Sequence, residues 1–181
     1  MRYAGIDRCD LCNGNDIGVS VYVQGCDFHC KGCFNKEAWD FNGGKEWNNK
    51  IEEEVYNLLL KPYTKRLSIL GGEPLADKNL PLTLHLLQIA IDTSLSQGKP
   101  INTWVYTGYT FEDIISFQSP SYSAFRTKAV LLSDYIVDGR FEIDKQDLSY
   151  SKIKFAGSTN QRIIDVQKSI VEERTVLWGA K

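Results

Sequence analysis

Three cysteines, Cys26, Cys30 and Cys33, lie close together in this chain with the spacing C-x3-C-x2-C. Any fold must therefore present three thiols on one short loop. Three thiolates can hold three irons of a [4Fe–4S] cluster, and a fourth cysteine would complete an all-thiolate cluster. If no fourth cysteine arrives, one iron keeps an open position that can bind a substrate. The spacing therefore indicates chemistry rather than electron storage alone.

The same thiols allow two other interpretations. Disulfides are disfavoured, because the chain has an odd number of cysteines, lacks a secretory signal and is too long to need them. Structural zinc is the stronger rival, since Cys9 and Cys12 form a C-x2-C pair that two later cysteines would complete. Zinc sites usually pair two ligands with two, so the triplet favours a cluster. Cys9 and Cys12 are otherwise interpreted as small buried hydrophobes, an extra metal site or a redox pair, with no catalytic role favoured.

Length and composition predict one domain over residues 1–181, with 43% hydrophobic and 24% charged residues. The formal net charge of −2 provides no basic footprint for nucleic acid or an anionic membrane. No apolar stretch approaches the ~20 residues that span a bilayer, and residues 1–7 lack the apolar region of a signal peptide. Free cysteines without an export signal predict a cytoplasmic location.

Hydrophobic periodicity predicts alternating strands and helices. The predicted strands are 17–24, 66–70, 101–106 and 129–137, with further short strands at 152–155 and 175–178. The predicted helices are 48–60, 80–95 and 111–117. This alternation predicts an α/β fold with parallel strands and helices outside.

Distinctive loops follow the four main predicted strands. They are the cysteine loop, Gly71-Gly72-Glu73-Pro74, Thr107-Gly108-Tyr109 and Asp138-Gly139-Arg140. Ligands of parallel α/β folds bind beyond the carboxyl ends of the strands, so the four loops are expected on one face. A complete (βα)8 barrel needs ~250 residues, so the prediction is a partial barrel with an open side. An open side suits a substrate that is itself a protein.

The Gly71-Gly72-Glu73-Pro74 segment has a plain interpretation as a tight turn. Its place after a buried strand, on the same face as the cysteines, favours a ligand site instead. Two glycines let the backbone approach a ligand closely, and Glu73 adds a carboxylate that can pair with an ammonium group.

These motifs together resemble the radical S-adenosylmethionine family and, more narrowly, the activating enzymes of the anaerobic (class III) ribonucleoside-triphosphate reductase. The cysteine spacing and Gly-Gly-Glu-Pro carry the broader resemblance. The narrower one rests on strings that span about residues 13 to 165. They are Asn13-Gly14, Val23-Gln24-Gly25-Cys26, Cys33-Phe34-Asn35 with Trp39, Trp104-Val105-Tyr106-Thr107-Gly108-Tyr109, Val137-Asp138-Gly139-Arg140-Phe141 and Gly157-Ser158-Thr159-Asn160-Gln161-Arg162.

The resemblance implies an oxidoreductase in which Cys26, Cys30 and Cys33 hold a [4Fe–4S] cluster with one open iron. S-adenosylmethionine would chelate that iron and be cleaved to a 5′-deoxyadenosyl radical, which takes hydrogen from a glycine of the reductase. A flavodoxin-like protein is the expected electron donor. The alternatives are an activase of another glycyl-radical enzyme, a small-molecule radical reaction, and a non-catalytic zinc-binding interaction module.

The resemblance also implies residue roles around the cofactor. Gly71, Gly72 and Glu73 would hold the methionyl ammonium. The backbone of Gly32, Cys33 and Phe34 would pass beside the adenine, and Thr107 would meet the ribose or carboxylate. The roles of Asp138, Arg140, Asn160 and Gln161 stay open between reductase contact and local structure.

Overall fold

The computed structural model describes residues 1–147 and 154–179, and its strands form one seven-stranded sheet in the order β3-β1-β2-β4-β5-β6-β7. The strands are β1 (Arg2–Asp10), β2 (Gly18–Val23), β3 (Lys45–Glu46), β4 (Arg66–Gly71), β5 (Asn102–Tyr106), β6 (Tyr135–Asp138) and β7 (Arg162–Asp165). The α-helices are α1 (Asn49–Leu59), α2 (Leu80–Gln97), α3 (Phe111–Ile115), α4 (Ala124–Leu131) and α5 (Val166–Val171).

The middle of the sheet is parallel and confirms the predicted α/β class. β2, β4, β5 and β6 pair in parallel, with helices between them in the chain. The remaining strands, β1, β3 and β7, pair antiparallel, so the prediction of parallel strands alone was wrong at both ends of the sheet. The link from β1 to β2 is too short for a parallel crossover, which takes a dozen or more residues.

The main hydrophobic core lies between the sheet and its helices. In β2, Val19 and Val21 belong to this core, and Val55 and Leu59 of α1 join them. The side chain of Asn48 caps α1 by accepting hydrogen bonds from two amides of its first turn. A second, smaller cluster centres on the fully buried Trp104 of β5.

The predicted strand 129–137 was wrong in its first half. Its apolar start is the end of helix α4, and only Tyr135–Asp138 is extended. A short apolar run does not distinguish a buried helical turn from a buried strand. Ala129 and Val130 are both fully buried in the helix.

Two short strands predicted near the carboxyl end had different outcomes. The predicted strand 152–155 falls largely outside the described residues. At 175–178 the structure has a single bridge between Leu177 and Ile164 instead of a strand. Among the described residues, no helix has the length and apolarity to cross a membrane.

Candidate functional site

A cavity opens at the carboxyl ends of β2, β4, β5 and β6, where the sequence places its four distinctive loops. Residues from all four loops line it: Cys26, Phe28, Cys30, Cys33, Phe34, Trp39, Gly71, Gly72, Glu73, Thr107, Gly108, Gly139, Arg140 and Phe141. The predicted convergence of these loops on one face is confirmed. The parallel register of the strands is the cause, because it brings their carboxyl ends to one edge of the sheet.

The cysteine loop is held by its own backbone and by the segment that follows it. The Cys33 amide donates to the Cys30 carbonyl at 3.1 Å, and the Cys26 amide donates to the Trp39 carbonyl at 3.0 Å. Burial raises the pKa of the Cys26 and Cys30 thiols. Because metals bind thiolates, metal binding at these two residues must release protons.

Gln24 and Gly25 explain why the cysteine loop begins as it does. The buried Gln24 amide donates to the carbonyls of Glu37 at 3.0 Å and Asp40 at 2.7 Å, so it fastens the returning segment. Gly25 has a φ of +106°, and a Cβ there would lie 1.9 Å from the Phe41 ring. A side chain at position 25 is therefore excluded on both steric and conformational grounds.

The glycine pair after β4 lets two loops approach closely. A Cβ on Gly72 would lie 2.3 Å from the Gly25 carbonyl oxygen, and Gly71 has a φ of +107°. The Gly72 amide donates to the Val23 carbonyl at 2.9 Å. The two glycines thus let the second loop pack against the start of the cysteine loop. The sequence predicted a close approach to a ligand, whereas the close neighbours in the structure are Tyr22 and Gly25.

Glu73 joins its own loop to the loop after β5 through its carboxylate. It accepts hydrogen bonds from the Leu75 amide at 2.9 Å, the Thr107 hydroxyl at 2.8 Å and the Gly108 amide at 2.8 Å. Only 3% of the residue is exposed. Burial raises the pKa of this carboxyl to about 7, although the three hydrogen bonds and the charge of Arg126 act in the opposite direction.

The aromatic residues of the cysteine loop lie at the rim of the cavity. The Phe28 ring packs with its centroid 4.8 Å from that of the Tyr109 ring. The Arg140 guanidinium lies 4.4 Å from the centroid of the Phe28 ring. Phe34 is 67% exposed and lies 5.2 Å from the ring of Phe141.

Gly32 is placed differently from its neighbours in the loop. Its φ of +76° explains the glycine, and a Cβ there would lie 2.9 Å from Ile143. The structure thus packs Gly32 against Ile143, next to Cys33, which lines the cavity.

The two residues left without a role at 160 and 161 support the Gly139-Arg140 loop. The Gln161 side chain donates to the Gly139 carbonyl at 2.9 Å and accepts from the Gly157 amide at 2.8 Å. The Asn160 side chain donates to the Arg140 carbonyl at 2.8 Å. Sequence reasoning had no signal for the contacts with Gly139 and Arg140, because these partners are 22 and 20 residues away in the chain.

Asp138 is a structural anchor rather than a cavity residue. Its carboxylate accepts from the Phe111 amide at 2.9 Å and from Nε of Arg162 at 3.0 Å. Arg162 also pairs with Glu112 at 2.6 Å, and this hydrogen bond lowers the pKa of Glu112 to about 2. The Asp138 carboxylate thereby joins β6, β7 and the start of α3 behind the cavity.

Cys9 and Cys12 lie at the opposite end of the sheet. Asp10 of β1 faces Gly18, the first residue of β2, whereas the three clustered cysteines follow the last residue. At ~3.3 Å per residue, β2 separates the two groups by about 17 Å. The two groups cannot share one zinc ion, which needs its ligands about 2.3 Å away. Both residues are exposed, so the interpretation as buried hydrophobes was wrong.

The cavity residues fit a [4Fe–4S] cluster by their donor chemistry. Three of the five cysteines line the cavity, which is enough thiols to offer one ligand to each of three irons. Trp39 lies beside them, and its buried indole nitrogen has no hydrogen-bond partner among the described residues. Across residues 1–147 and 154–179, no three His, Cys, Asp or Glu side chains are grouped around a single metal ion position.

Residues 12–164 match the family described as 4Fe-4S single cluster domain. This match spans the cysteine loop and most of the sheet.

Several relatives are named anaerobic ribonucleoside-triphosphate reductase-activating protein. The one from Escherichia coli (strain K12) is 32% identical over 163 residues, covering 89% of this chain and 96% of the relative. The one from Pasteurella multocida is 30% identical over 165 residues, covering 90% and 96%. The one from Enterobacteria phage T4 is 30% identical over 163 residues, covering 90% and 93%. The chain belongs to this family of activating proteins.

Proposed function

We propose that this chain is the radical S-adenosylmethionine enzyme that generates the glycyl radical of an anaerobic ribonucleoside-triphosphate reductase. The observation that carries the proposal is the convergence of three thiols and the Gly71-Gly72-Glu73 loop on one cavity. The relatives of this chain are named as activating proteins of the anaerobic ribonucleoside-triphosphate reductase, which supports the reductase as the target. The seven-stranded sheet and its helices would form one domain, shaped as an open (βα) barrel.

Cys26, Cys30 and Cys33 would hold the cluster, and no fourth cysteine is close enough to close it. When bound, the reduced cluster supplies the electron that cleaves S-adenosylmethionine into methionine and a 5′-deoxyadenosyl radical, which takes a hydrogen atom from a glycine. A flavodoxin-like protein would deliver that electron. The residues of the chain bind, orient and shield the reactants.

Glu73 has the capacity to bind the methionyl ammonium. A carboxylate offers about four acceptor sites, and the structure uses three of them for Leu75, Thr107 and Gly108. The remaining site and the nearby carbonyls of Gly71 and Gly72 would accept the ammonium protons. The Thr107 hydroxyl donates a hydrogen bond to the Glu73 carboxylate. We therefore assign Thr107 first to orienting Glu73 and only then to contact with the ribose or carboxylate of the ligand.

The rest of the cavity would hold the nucleoside and keep water away. Cys33 and Phe34 line the cavity and Gly32 adjoins it, so this backbone is the proposed adenine edge. Phe28 and Phe141 add apolar surface that limits the entry of water.

Anaerobic reconstitution with iron and sulfide tests the proposal. After reduction with dithionite and addition of S-adenosylmethionine, we expect methionine and 5′-deoxyadenosine, with about four irons bound per chain. Adding the reductase should then produce a glycyl radical signal in electron paramagnetic resonance.

The alternatives predict different results from the same experiment. Cleavage without a glycyl radical on the reductase would indicate another glycyl-radical enzyme or a small molecule as the target. A colourless protein that binds zinc and yields no cleavage products would contradict the proposal and indicate an interaction module.

A further inference from the structure

Strand β1 has a free edge beside the cavity. Its neighbour β3 pairs only with Arg2 and Tyr3, whereas β2 covers the other edge as far as Asp10. Within the part of the chain that the structure describes, β1 is therefore an edge strand from Ala4 onward, and alternate residues present backbone N–H and C=O groups without a strand partner. Such an edge can accept an extended peptide as an additional strand.

Two depressions along this edge lead into the cavity. The first is lined by Ala4, Gly5 and Tyr22, and it shares Cys33, Phe34, Asn35 and Gly71 with the cavity. The second is lined by residues 5–9 and Tyr22, so it continues the first along β1. Together they form one groove, here called the edge groove, that runs along β1 to the cysteine loop.

Gly5 keeps the edge groove open. A Cβ at Gly5 would meet no atom within 4 Å, and Ala4 beside it is nearly as small. The pairing of β1 with β2 also slips between Tyr3 and Gly5. An irregularity of this kind bends a strand and re-aims its edge. Small residues and a bend thus coincide where the groove meets the cavity.

Asp7 and Arg8 of β1 lie in the outer part of the edge groove, whereas Lys36 and Glu37 line its inner part. Arg8 pairs with Glu54 of α1 at 2.6 Å, so its charge is drawn toward the helix. The side chain of Asp7 accepts from the Cys9 amide at 3.1 Å. Both contacts lie at the far end of the groove, away from Ala4 and Gly5.

We propose that an extended, glycine-containing segment of the reductase binds in the edge groove as a strand added to β1. The inference rests on the proposed function, since the target glycine has to reach the cavity. Backbone hydrogen bonds to β1 would supply sequence-tolerant affinity and would aim the segment past Phe34 and Gly71. A glycine can pass there because it carries no side chain.

The variant Gly5→Phe tests the proposal by filling the groove. We expect the yield of glycyl radical on the purified reductase to fall at least tenfold. Gly5 does not line the cavity. The reconstituted variant alone should therefore cleave S-adenosylmethionine like the unmodified chain. The matched control is Gln97→Phe, at the exposed end of α2, which should activate the reductase like the unmodified chain.

Hydrogen–deuterium exchange of the unmodified chain provides a second test that does not depend on how a variant folds. Adding the reductase should slow exchange of the amides of residues 4–8. Protection confined to the backbone amides of α3 and α5, with none at residues 4–8, would overturn the proposal.

The two proposals fail separately. If the unmodified chain cleaves S-adenosylmethionine and activates the reductase, but Gly5→Phe does so equally well, only the edge groove is refuted. If the unmodified chain yields neither cleavage products nor a glycyl radical, the proposed function itself fails.

Discussion

Buried polar groups have opposite environments at the amino ends and at the carboxyl ends of the parallel strands. At the amino end of the parallel strands, Arg66 of β4 is fully buried and pairs with Asp10 at 3.0 Å. The same guanidinium donates to the carbonyls of Asn13 at 2.6 Å and Asn15 at 2.9 Å. Burial opposes ionisation of Asp10, but its hydrogen bonds and Arg66 still lower its pKa.

At the carboxyl end, the buried carboxylate of Glu73 has hydrogen-bond donors but no ion pair among the described residues. Burial raises its pKa to about 7, whereas the pKa of Asp10 is lowered. The Arg66–Asp10 pair is thus satisfied within the chain, whereas the carboxyl end has a carboxylate with unused acceptor capacity and three thiols beside a cavity. One sheet thus has a buried, paired charge at the amino ends of its parallel strands and the proposed ligand site at their carboxyl ends, as parallel βα folds commonly do.

The largest expected effect is the loss of activity in Cys30→Ala. Removing one thiolate should prevent assembly of the cluster and reduce cleavage of S-adenosylmethionine to background, because only three cysteines line the cavity. Iron content, visible absorption and 5′-deoxyadenosine yield measure this. The matched control is Cys12→Ala at the other end of the sheet, which should retain cluster and cleavage. Loss of the cluster in that control would contradict the division between the two ends.

The next largest effect is on stability, in Arg66→Met. This change leaves Asp10 buried without its cation, and breaking a buried pair in this way costs about 3–5 kcal/mol in free energy of unfolding. Chemical denaturation of the cluster-free chain measures the loss. The double variant Asp10→Asn with Arg66→Met should recover part of it, because no uncompensated charge remains. A loss below about 1 kcal/mol in the single variant would argue against the assigned role of Arg66.

Glu73→Ala should leave the cluster in place and weaken S-adenosylmethionine binding about tenfold or more. This is the loss expected for one charge-assisted hydrogen bond of about 1.5 kcal/mol. Equilibrium binding to the reconstituted protein measures it. Unchanged affinity would remove Glu73 from the proposed ligand site.

The pH dependence of S-adenosylmethionine binding tests the role assigned to Glu73. The ammonium needs the ionised carboxylate, so affinity should rise with pH up to about 7, the pKa of Glu73. Well below that pH the rise approaches tenfold per unit. Glu73→Gln, which does not titrate, should lose this dependence. A wild-type affinity independent of pH between 5.5 and 7.5 would contradict the assignment.

The raised pKa of Glu73 also affects folding, with the sign opposite to that of an ordinary paired carboxylate. Between the usual value of 4.5 and about 7, the folded chain keeps a proton that the unfolded chain has lost. The contribution to stability is therefore complete below 4.5 and is lost as the pH rises toward 7, by about 3 kcal/mol. Denaturation of the wild type and Glu73→Gln across this range measures the difference.

The smallest effect is expected at the exposed pair of Arg8 and Glu54. The Arg8 side chain is 62% exposed, so the pair is largely screened by solvent. Arg8→Ala should change the free energy of unfolding by less than about 0.5 kcal/mol. A loss as large as that of Arg66→Met would show that solvent exposure does not account for the difference in stabilisation expected between the Arg8 and Arg66 ion pairs.

Local pattern predicted the centre of the fold better than its borders. Strand 17–24 was predicted from its alternating branched residues, and the structure has it at Gly18–Val23. β1 was missed because its second half, Asp7-Arg8-Cys9-Asp10, is polar and does not alternate. Its pairing with β2 is a long-range contact that no local pattern reports.

Much of the candidate site was predictable because its signals are local. The spacing of Cys26, Cys30 and Cys33 and the glycine pair after β4 are visible in the letters alone. The supporting contacts of Gln161 and Asn160 were not predictable, because each depends on a loop brought near by the order of β6 and β7.

The sequence by itself determined the number and spacing of the thiols, the positions where only glycine fits, and the parallel strands that carry these residues to one face. These follow from covalent order and backbone geometry. Only the tertiary structure decided that Cys9 and Cys12 lie at the far end of β2, that Glu73 is buried with a raised pKa, and that β1 has a free edge. Burial, strand order and distance arise from contacts between segments far apart in the chain. No single local stretch of sequence therefore predicts them.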